Sequence, residues 1–116
     1  MSALPDDHTL KKGTAELLVL AQLEDEPRHG YDIALGIEQR SNGEVVFNVA
    51  SLYPVLHRLE ARGMIAGWWI ERAGQRRRRF YKLTAAGRRS LIERRKTWSV
   101  FMGAVQRAAG LVVCPG

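Results

Sequence analysis

The spacing of apolar residues along the chain predicts a series of helices. Across residues 10–23 apolar side chains fall on almost every side of a helix, so the domain's own core or a second subunit must surround that helix. The acidic, proline-containing run 24–27 ends it, because proline lacks a backbone donor and disfavours helix at the residue before it. A second helix is predicted to open at Gly30 and to end at residues 41–43, where Gly43 suits a left-handed cap.

The segment 48–62 has the pattern of a helix with one buried face. Its apolar residues share one stripe: Leu52, Val55, Leu56 and Leu59. The opposite face and its flanks carry small residues, hydrogen-bonding groups and cations: Ala50, Ser51, Tyr53, Pro54, His57, Arg58, Ala61 and Arg62. Such a surface suits a polyanion, and the wide groove of B-DNA accepts a helix of this width. The pattern favours a recognition helix capped by Asn48 or Ser51, although an ordinary amphipathic surface helix has the same stripe.

After Gly63 the composition becomes typical of strands. Residues 64–70 and 80–83 are aromatic and β-branched, and the loop 71–79 between them holds five arginines and one carboxylate. A β-hairpin that follows three helices is a wing. The sequence therefore predicts a mainly α fold with a small β-hairpin, a winged helix-turn-helix. A short apolar run at 45–47 indicates either a brief strand or an extended connection.

The arginine run in the predicted wing points to a polyanionic partner. Mutual repulsion among the four adjacent arginines at 76–79 is costly unless negative charge neutralises it. Arginine carries planar donors that match phosphate geometry, so a tip that grips a nucleic-acid backbone is the natural use. A solvated charged turn is the alternative, since many short charge runs are only solvated.

The last helix is predicted over residues 85–109, with Thr84 as its N-cap. Apolar residues recur along it at heptad spacing, with a break at Arg94: Leu91, Trp98, Phe101, Val105 and Ala108. This seam favours pairing with a second copy of the chain, together with Leu17 and Leu20 of the first helix, while folding back onto its own domain is the alternative. The predicted domains are a flexible start at 1–9, a winged helix-turn-helix at 10–84, a dimerisation helix at 85–109 and a tail at 110–116.

Charge divides this 116-residue chain, which is long enough for one domain with a modest core. Residues 1–50 hold four basic and nine acidic residues, a net charge of −5. Residues 51–116 hold fourteen basic and three acidic residues, a net charge of +11, and the two halves sum to +6. A basic excess confined to one half implies a basic face, which usually meets nucleic acid or anionic lipid.

Missing sequence features argue against several other classes of function. No 18 consecutive apolar residues occur, so no membrane partner is predicted. Metal-ligand spacing, a nucleophile elbow and a glycine-rich phosphate loop are all absent from the sequence, which predicts no enzyme, no metal and no cofactor. The lone Cys114 and a start without an apolar signal core predict a cytoplasmic protein.

Four motifs follow one another along the chain: LLVLAQL at 17–23, HGY at 29–31, SLYPVLHRLEARG at 51–63 and YKLTAAG at 81–87. With their spacing they cover nearly all of residues 10–105 and resemble the PadR family of bacterial winged-helix transcription regulators, in its shorter branch with one C-terminal helix. The resemblance implies a homodimer held by the C-terminal helix, a recognition helix in each major groove and a basic wing on flanking DNA. It also implies that Tyr31, Ser51 and Tyr53 lie on or near the DNA-facing side. The full set predicted to contact DNA is Tyr31, Ser51, Tyr53, Pro54, His57, Arg58, Arg62, Arg76, Arg77, Arg78 and Lys82.

The expected function is that of a sequence-specific DNA-binding transcriptional regulator, a homodimeric repressor on an inverted-repeat operator in the bacterial cytoplasm, associated with the nucleoid. The predicted dimer contacts are Leu17, Leu20, Leu91, Trp98, Phe101 and Val105. The resemblance also suggests a ligand site, because some multidrug-sensing relatives stack flat aromatic compounds on a tryptophan in this helix. By analogy, Trp98, Phe101 and Met102 are predicted to line an effector site. The alternative is that Trp98 only packs in the dimer core. The alternative functions are a non-specific nucleic-acid-binding module and a constitutive regulator without a ligand.

Overall fold

The structure is a computed structural model that describes residues 8–111, the side chains of residues 8–12 excepted. Its elements, in chain order, are α1 (His8–Gln22), β1 (Arg28–His29), α2 (Gly30–Arg40), α3 (Val49–Ala61), β2 (Ile65–Ile70), β3 (Arg78–Leu83) and α4 (Ala85–Ala109). Three helices, a hairpin and a long last helix confirm the predicted winged helix-turn-helix. The first helix begins two residues before the predicted start at Leu10. The predictions for the flexible start within residues 1–7 and for the tail from residue 112, with Cys114, lie outside the described residues.

The core lies where the three first helices meet the sheet and the start of α4. The predicted stripe of α3 is buried in full: Leu52, Val55, Leu56 and Leu59. Large side chains from α1, from α2 and from the residue that follows α1 close around it: Val19, Leu20, Leu23, Ile33 and Ile37. Burial of each such side chain is worth about 1.5–3 kcal/mol. This packing fixes the position of α3 and therefore the direction in which its outer face points.

Two residues predicted to contact a second subunit belong to this core instead. Leu20 is 0% exposed and Leu91 is 1% exposed. The prediction was wrong for both, because the apolar α1 and the first turns of α4 pack against each other within one chain. Leu17 is half-buried against the same core. The alternative of folding back therefore holds for the first turns of α4.

The sheet is antiparallel, with the strand order β1–β3–β2. Its hairpin register places Ile65 opposite Leu83 and Ile70 opposite Arg78. The two-residue β1 adds a third strand by pairing Arg28 with Tyr81. The sequence did not predict β1, since two residues are too few to show a period of two. The run 45–47 is the extended connection of the two predicted alternatives, not a strand.

A side-chain cap decides where α3 begins. The Oδ1 of Asn48 accepts a hydrogen bond from the Ser51 N–H at 2.8 Å, so Asn48 rather than Ser51 is the cap. Pro54 consequently lies inside the helix and not in its first turn. Its missing N–H leaves the carbonyl of Ala50 without a helical partner, at a residue exposed to solvent.

The last helix is anchored at its start and then leaves the domain. Thr84 caps it as predicted, accepting from the Gly87 N–H at 3.0 Å and donating to the Gly63 carbonyl at 2.6 Å. Among the residues of α4, all of which the structure describes, Gly87 and Leu91 alone are buried. A helix of 25 residues is about 37 Å long, and the molecule measures 56 × 30 × 30 Å. Its later turns expose large apolar side chains: Ile92, Val100, Phe101 and Met102.

Candidate nucleic-acid interface

The outer face of α3 is open to solvent, as the sequence predicted. Its exposed residues are Ala50, Ser51, Tyr53, Pro54, His57 and Ala61. The small side chains along the centre of this face let a ligand approach the helix closely. The hydroxyl and imidazole groups beside them can donate to or accept from phosphate oxygens and base edges.

A groove of about 750 Å³ runs between α3, the start of α2 and the wing. It brings together six of the residues predicted to contact DNA: Tyr31, Tyr53, His57, Arg76, Arg77 and Arg78. The chain separates the first of these from the last by 47 residues, and the fold alone makes them neighbours. These six residues place two phenol hydroxyls, an imidazole and three guanidinium groups on one continuous surface.

Contacts along this groove fix the wing, one of them to α3 and the others within the hairpin. The Arg79 Nη2 lies 2.7 Å from the Glu60 Oε2, an ion pair that joins β3 to α3. The guanidinium carbons of Arg77 and Arg79 lie 4.3 Å and 5.4 Å from the centre of the Trp69 ring. Burial raises the pKa of Tyr81 in the same wall, so its phenol remains neutral. The position of the arginine tip is thus set by an ion pair and by stacking.

Trp69 and His29 are site residues that the sequence did not identify. Trp69 is 51% exposed and lines the groove. The Nε2 of His29 lies 3.0 Å from Asp32 Oδ2 and 3.0 Å from the Arg78 Nη1, so it links the start of α2 to the wing. His29 stands in the HGY motif at 29–31, and Trp69 is an aromatic residue close to the arginine run; neither signal by itself assigns a role.

Arg58 and Arg62, predicted to contact DNA, are paired within the protein. The Arg58 Nε lies 3.2 Å from one carboxylate oxygen of Glu16, and the Arg62 Nη1 lies 3.4 Å from the other. Arg94 of α4 donates to the same carboxylate at 2.9 Å. Burial by itself would raise the pKa of Glu16, but the hydrogen bonds from Arg94 and Arg58 outweigh it and hold that pKa below its usual value. These two arginines therefore lie on the flank of α3 that faces away from the wing groove.

The chain is similar to known proteins in sequence and in fold. The family model of the PadR-like transcriptional regulators matches residues 19–93. The chain belongs to this family. A PadR family regulator from Eggerthella lenta is 30% identical, with a TM-score of 0.74 over 90% of this chain and 88% of that one. The Bacillus subtilis PadR, crystallised in complex with operator DNA, is 21% identical, with a TM-score of 0.63 over 69% of this chain and 46% of that one. A protein from Lysinibacillus sphaericus is 28% identical over 88 residues, which are 76% of this chain and 81% of that protein.

PadR-like proteins are DNA-binding transcriptional regulators and not enzymes. Among the side chains of residues 13–111, no group of three or more His, Cys, Asp or Glu residues could hold a metal ion. None of the helices within residues 8–111 is long and apolar enough to cross a membrane.

Of the predicted DNA contacts of this PadR-like regulator, Lys82 lies apart from the wing groove. It is exposed on β3, with its Nζ 5.9 Å from the centre of the Trp68 ring, whereas the neighbouring Tyr81 is buried in the groove wall. Successive residues of a strand point to opposite faces, which explains the separation. Lys82 therefore lies on the face of β3 opposite the groove.

The residues predicted to bind an effector lie together on α4. The rings of Trp98 and Phe101 meet edge to face, with their centres 6.1 Å apart. Phe101 and Met102 are exposed and Trp98 is half-buried. In one chain these side chains form part of an open apolar surface, and a second surface laid against it would enclose them.

Proposed function

We propose that this PadR-like chain is a homodimeric repressor that binds an inverted-repeat operator. The observation that supports it best is the groove of about 750 Å³, which sets Tyr53 and His57 of α3 opposite the wing arginines. A duplex whose major groove receives α3 would meet these guanidinium groups with its adjoining backbone. The contact of α3 with the major groove and the contact of the wing with the backbone both use the cationic half of the chain, residues 51–116.

The two parts of the surface have different roles in this proposal. His57 and the small residues around Pro54 face the base edges, while Ser51 and Tyr53 hydrogen-bond phosphates. Tyr31 adds a hydroxyl from the start of α2 to the same groove. The wing residues Arg76, Arg77 and Arg78 contribute sequence-independent affinity through phosphates.

A second copy of the chain is proposed to cover the later turns of α4. Trp98, Phe101 and Val105 fall on one side of this helix, beyond the turns that its own domain buries. With Leu20 and Leu91 removed from the predicted contacts, half-buried Leu17 remains the candidate from α1. Twofold pairing would place the two recognition helices about 34 Å apart, which requires an inverted repeat.

A planar aromatic effector is proposed to bind between the two copies at Trp98, Phe101 and Met102. Such a compound should quench the tryptophan fluorescence of the wild type. The quenching should be lost in Trp98→Ala and retained in Trp68→Phe and Trp69→Phe, which remove the other two indoles. Quenching that survives in Trp98→Ala would place the ligand elsewhere.

Footprinting the region upstream of the chain's own gene tests the proposed function. We expect protection of two half-sites related by twofold symmetry, with centres about one helical turn apart. An aromatic effector, if it releases the repressor, should reduce that protection. Uniform protection along the whole fragment would instead identify a non-specific nucleic-acid-binding protein. A regulator of this kind acts on the chromosome, so the proposal includes a cytoplasmic, nucleoid-associated location.

A further inference from the structure

We infer that Glu16 is a positioning residue for DNA recognition. It holds the guanidinium groups of Arg58 and Arg62 against α1 and so limits how many cations of α3 reach DNA phosphates. The inference rests on the proposed DNA-binding function and assigns a role to a carboxylate outside the DNA-facing surface.

The geometry of this cluster is that of one buried anion shared by three cations. The side chain of Glu16 is 5% exposed, and α3 and α4 surround it with Arg58, Arg62 and Arg94 at 2.9–3.4 Å. A buried carboxylate is costly unless it is paired and hydrogen-bonded. Arg94 makes the shortest of these contacts and also donates to the Ser90 hydroxyl at 2.9 Å. Arg94 of α4 already neutralises the charge of this carboxylate. The pairing with Arg58 and Arg62 therefore exceeds what charge neutralisation requires, and its effect is to hold two cations of α3 in place.

The two flanks of α3 differ in how their donors are held. At 100° per residue, Arg58 lies about 40° and Arg62 about 80° from Pro54, near the centre of the outer face. His57 lies about 60° to the other side, towards the wing groove. The Arg58 and Arg62 side chains are 30% and 49% exposed, so both reach solvent while bonded to Glu16. Long side chains so close to the outer face would reach a bound duplex if the carboxylate released them.

Holding these arginines on Glu16 lowers the part of the affinity for DNA that does not depend on base sequence. Each guanidinium that pairs with a phosphate displaces counterions and strengthens binding to every duplex alike. By keeping two cations on Glu16, the chain leaves the reading of DNA to the small and polar residues of α3. The wing arginines, on the other side of α3, then supply the phosphate contacts.

The charge-neutral variant Glu16→Gln tests this role. Its affinity for a random-sequence duplex would be measured by fluorescence anisotropy between 50 mM and 200 mM salt. We expect the plot of log affinity against log salt to steepen by about 0.9 for each new phosphate contact, or about 1.8 for two. Each contact corresponds to an extra loss of about 3.5-fold in affinity over that salt range. Adding Arg58→Gln and Arg62→Gln to this variant should return the slope to its wild-type value.

Glu93→Gln is the matched control, since it makes the same charge change at an exposed position of α4. A slope for Glu16→Gln equal to that of the control, or shallower than the wild-type slope, would overturn the inference. The double variant Arg58→Gln/Arg62→Gln gives an answer even if Glu16→Gln does not fold, because Arg94 still pairs with the carboxylate. Its slope should equal that of the wild type, and a drop of about one per residue would show that both arginines already contact DNA.

The test separates the inference from the function on which it rests. A wild-type chain that binds no duplex at 50 mM salt would contradict the proposed function. A wild-type chain that binds, together with a Glu16→Gln slope that does not change, would contradict the positioning role alone.

Discussion

Removing two positive charges from the wing tests whether the wing arginines add affinity for any duplex while α3 provides the sequence specificity. Arg76 and Arg77 are the residues to change, because Arg78 also bonds to His29 and its loss would disturb the link to α2. If each guanidinium pairs with one phosphate, Arg76→Gln/Arg77→Gln should make the salt slope shallower by about 1.8. Over a fourfold change in salt that slope difference corresponds to about 12-fold in affinity.

The assay is a salt titration with two duplexes, the footprinted operator and a scrambled sequence of the same length. We expect binding to weaken by a similar factor on both, so that their ratio is kept. Arg89→Gln/Arg107→Gln removes the same charge from exposed positions of α4 and should leave the slope close to that of the wild type. Loss of the preference for the operator at an unchanged slope would refute the reasoning and show that the wing reads sequence.

Three further changes test the fold, the buried carboxylate and the dimer. Gly87→Ala should lower the free energy of unfolding by about 1–3 kcal/mol in urea denaturation, because the new Cβ would meet the Met64 carbonyl oxygen. The control Gly13→Ala lies in open space within α1 and should raise the free energy of unfolding by about 1 kcal/mol. Equal effects of the two changes would contradict the packing of α4. The fold holds the pKa of Glu16 below its usual value of 4.5, so the paired carboxylate stabilises the fold above pH 4.5. The free energy of unfolding should therefore fall as the pH drops below 4.5, and it should fall less steeply in Glu16→Gln. Phe101→Asp should weaken self-association about 30-fold in analytical ultracentrifugation, the factor for about 2 kcal/mol, while an unchanged dimer would exclude this face.

Much of the fold could be predicted from local patterns. The stripe of α3 has the helical period, and Thr84 and Asn48 are of the residue types that cap helices, so the boundaries of these helices follow from neighbouring residues. The hairpin followed from composition. The strand β1 could not be predicted, because it forms only through its pairing with β3, far along the chain.

The candidate site could be predicted in part. The sequence showed which residue types lie on the outer face of α3 and in the wing, and the structure brings Tyr53 and His57 next to the wing arginines. The pairing of Arg58 and Arg62 with Glu16 spans 42 and 46 positions of sequence, and no local pattern links them. Leu91 likewise fits a heptad seam as well as it fits the domain core, and only the packing of α1 against α4 distinguishes the two.

The most direct test of the central claim is a competition titration at about 150 mM salt. A duplex that carries the footprinted inverted repeat would compete with scrambled duplex for the wild-type chain. Specific regulators bind their sites about 10³-fold or more tightly than other DNA. We predict a preference of at least that order, with two chains bound per repeat. Equal affinity for the two duplexes, or one chain bound per repeat, would contradict a dimeric, sequence-specific regulator.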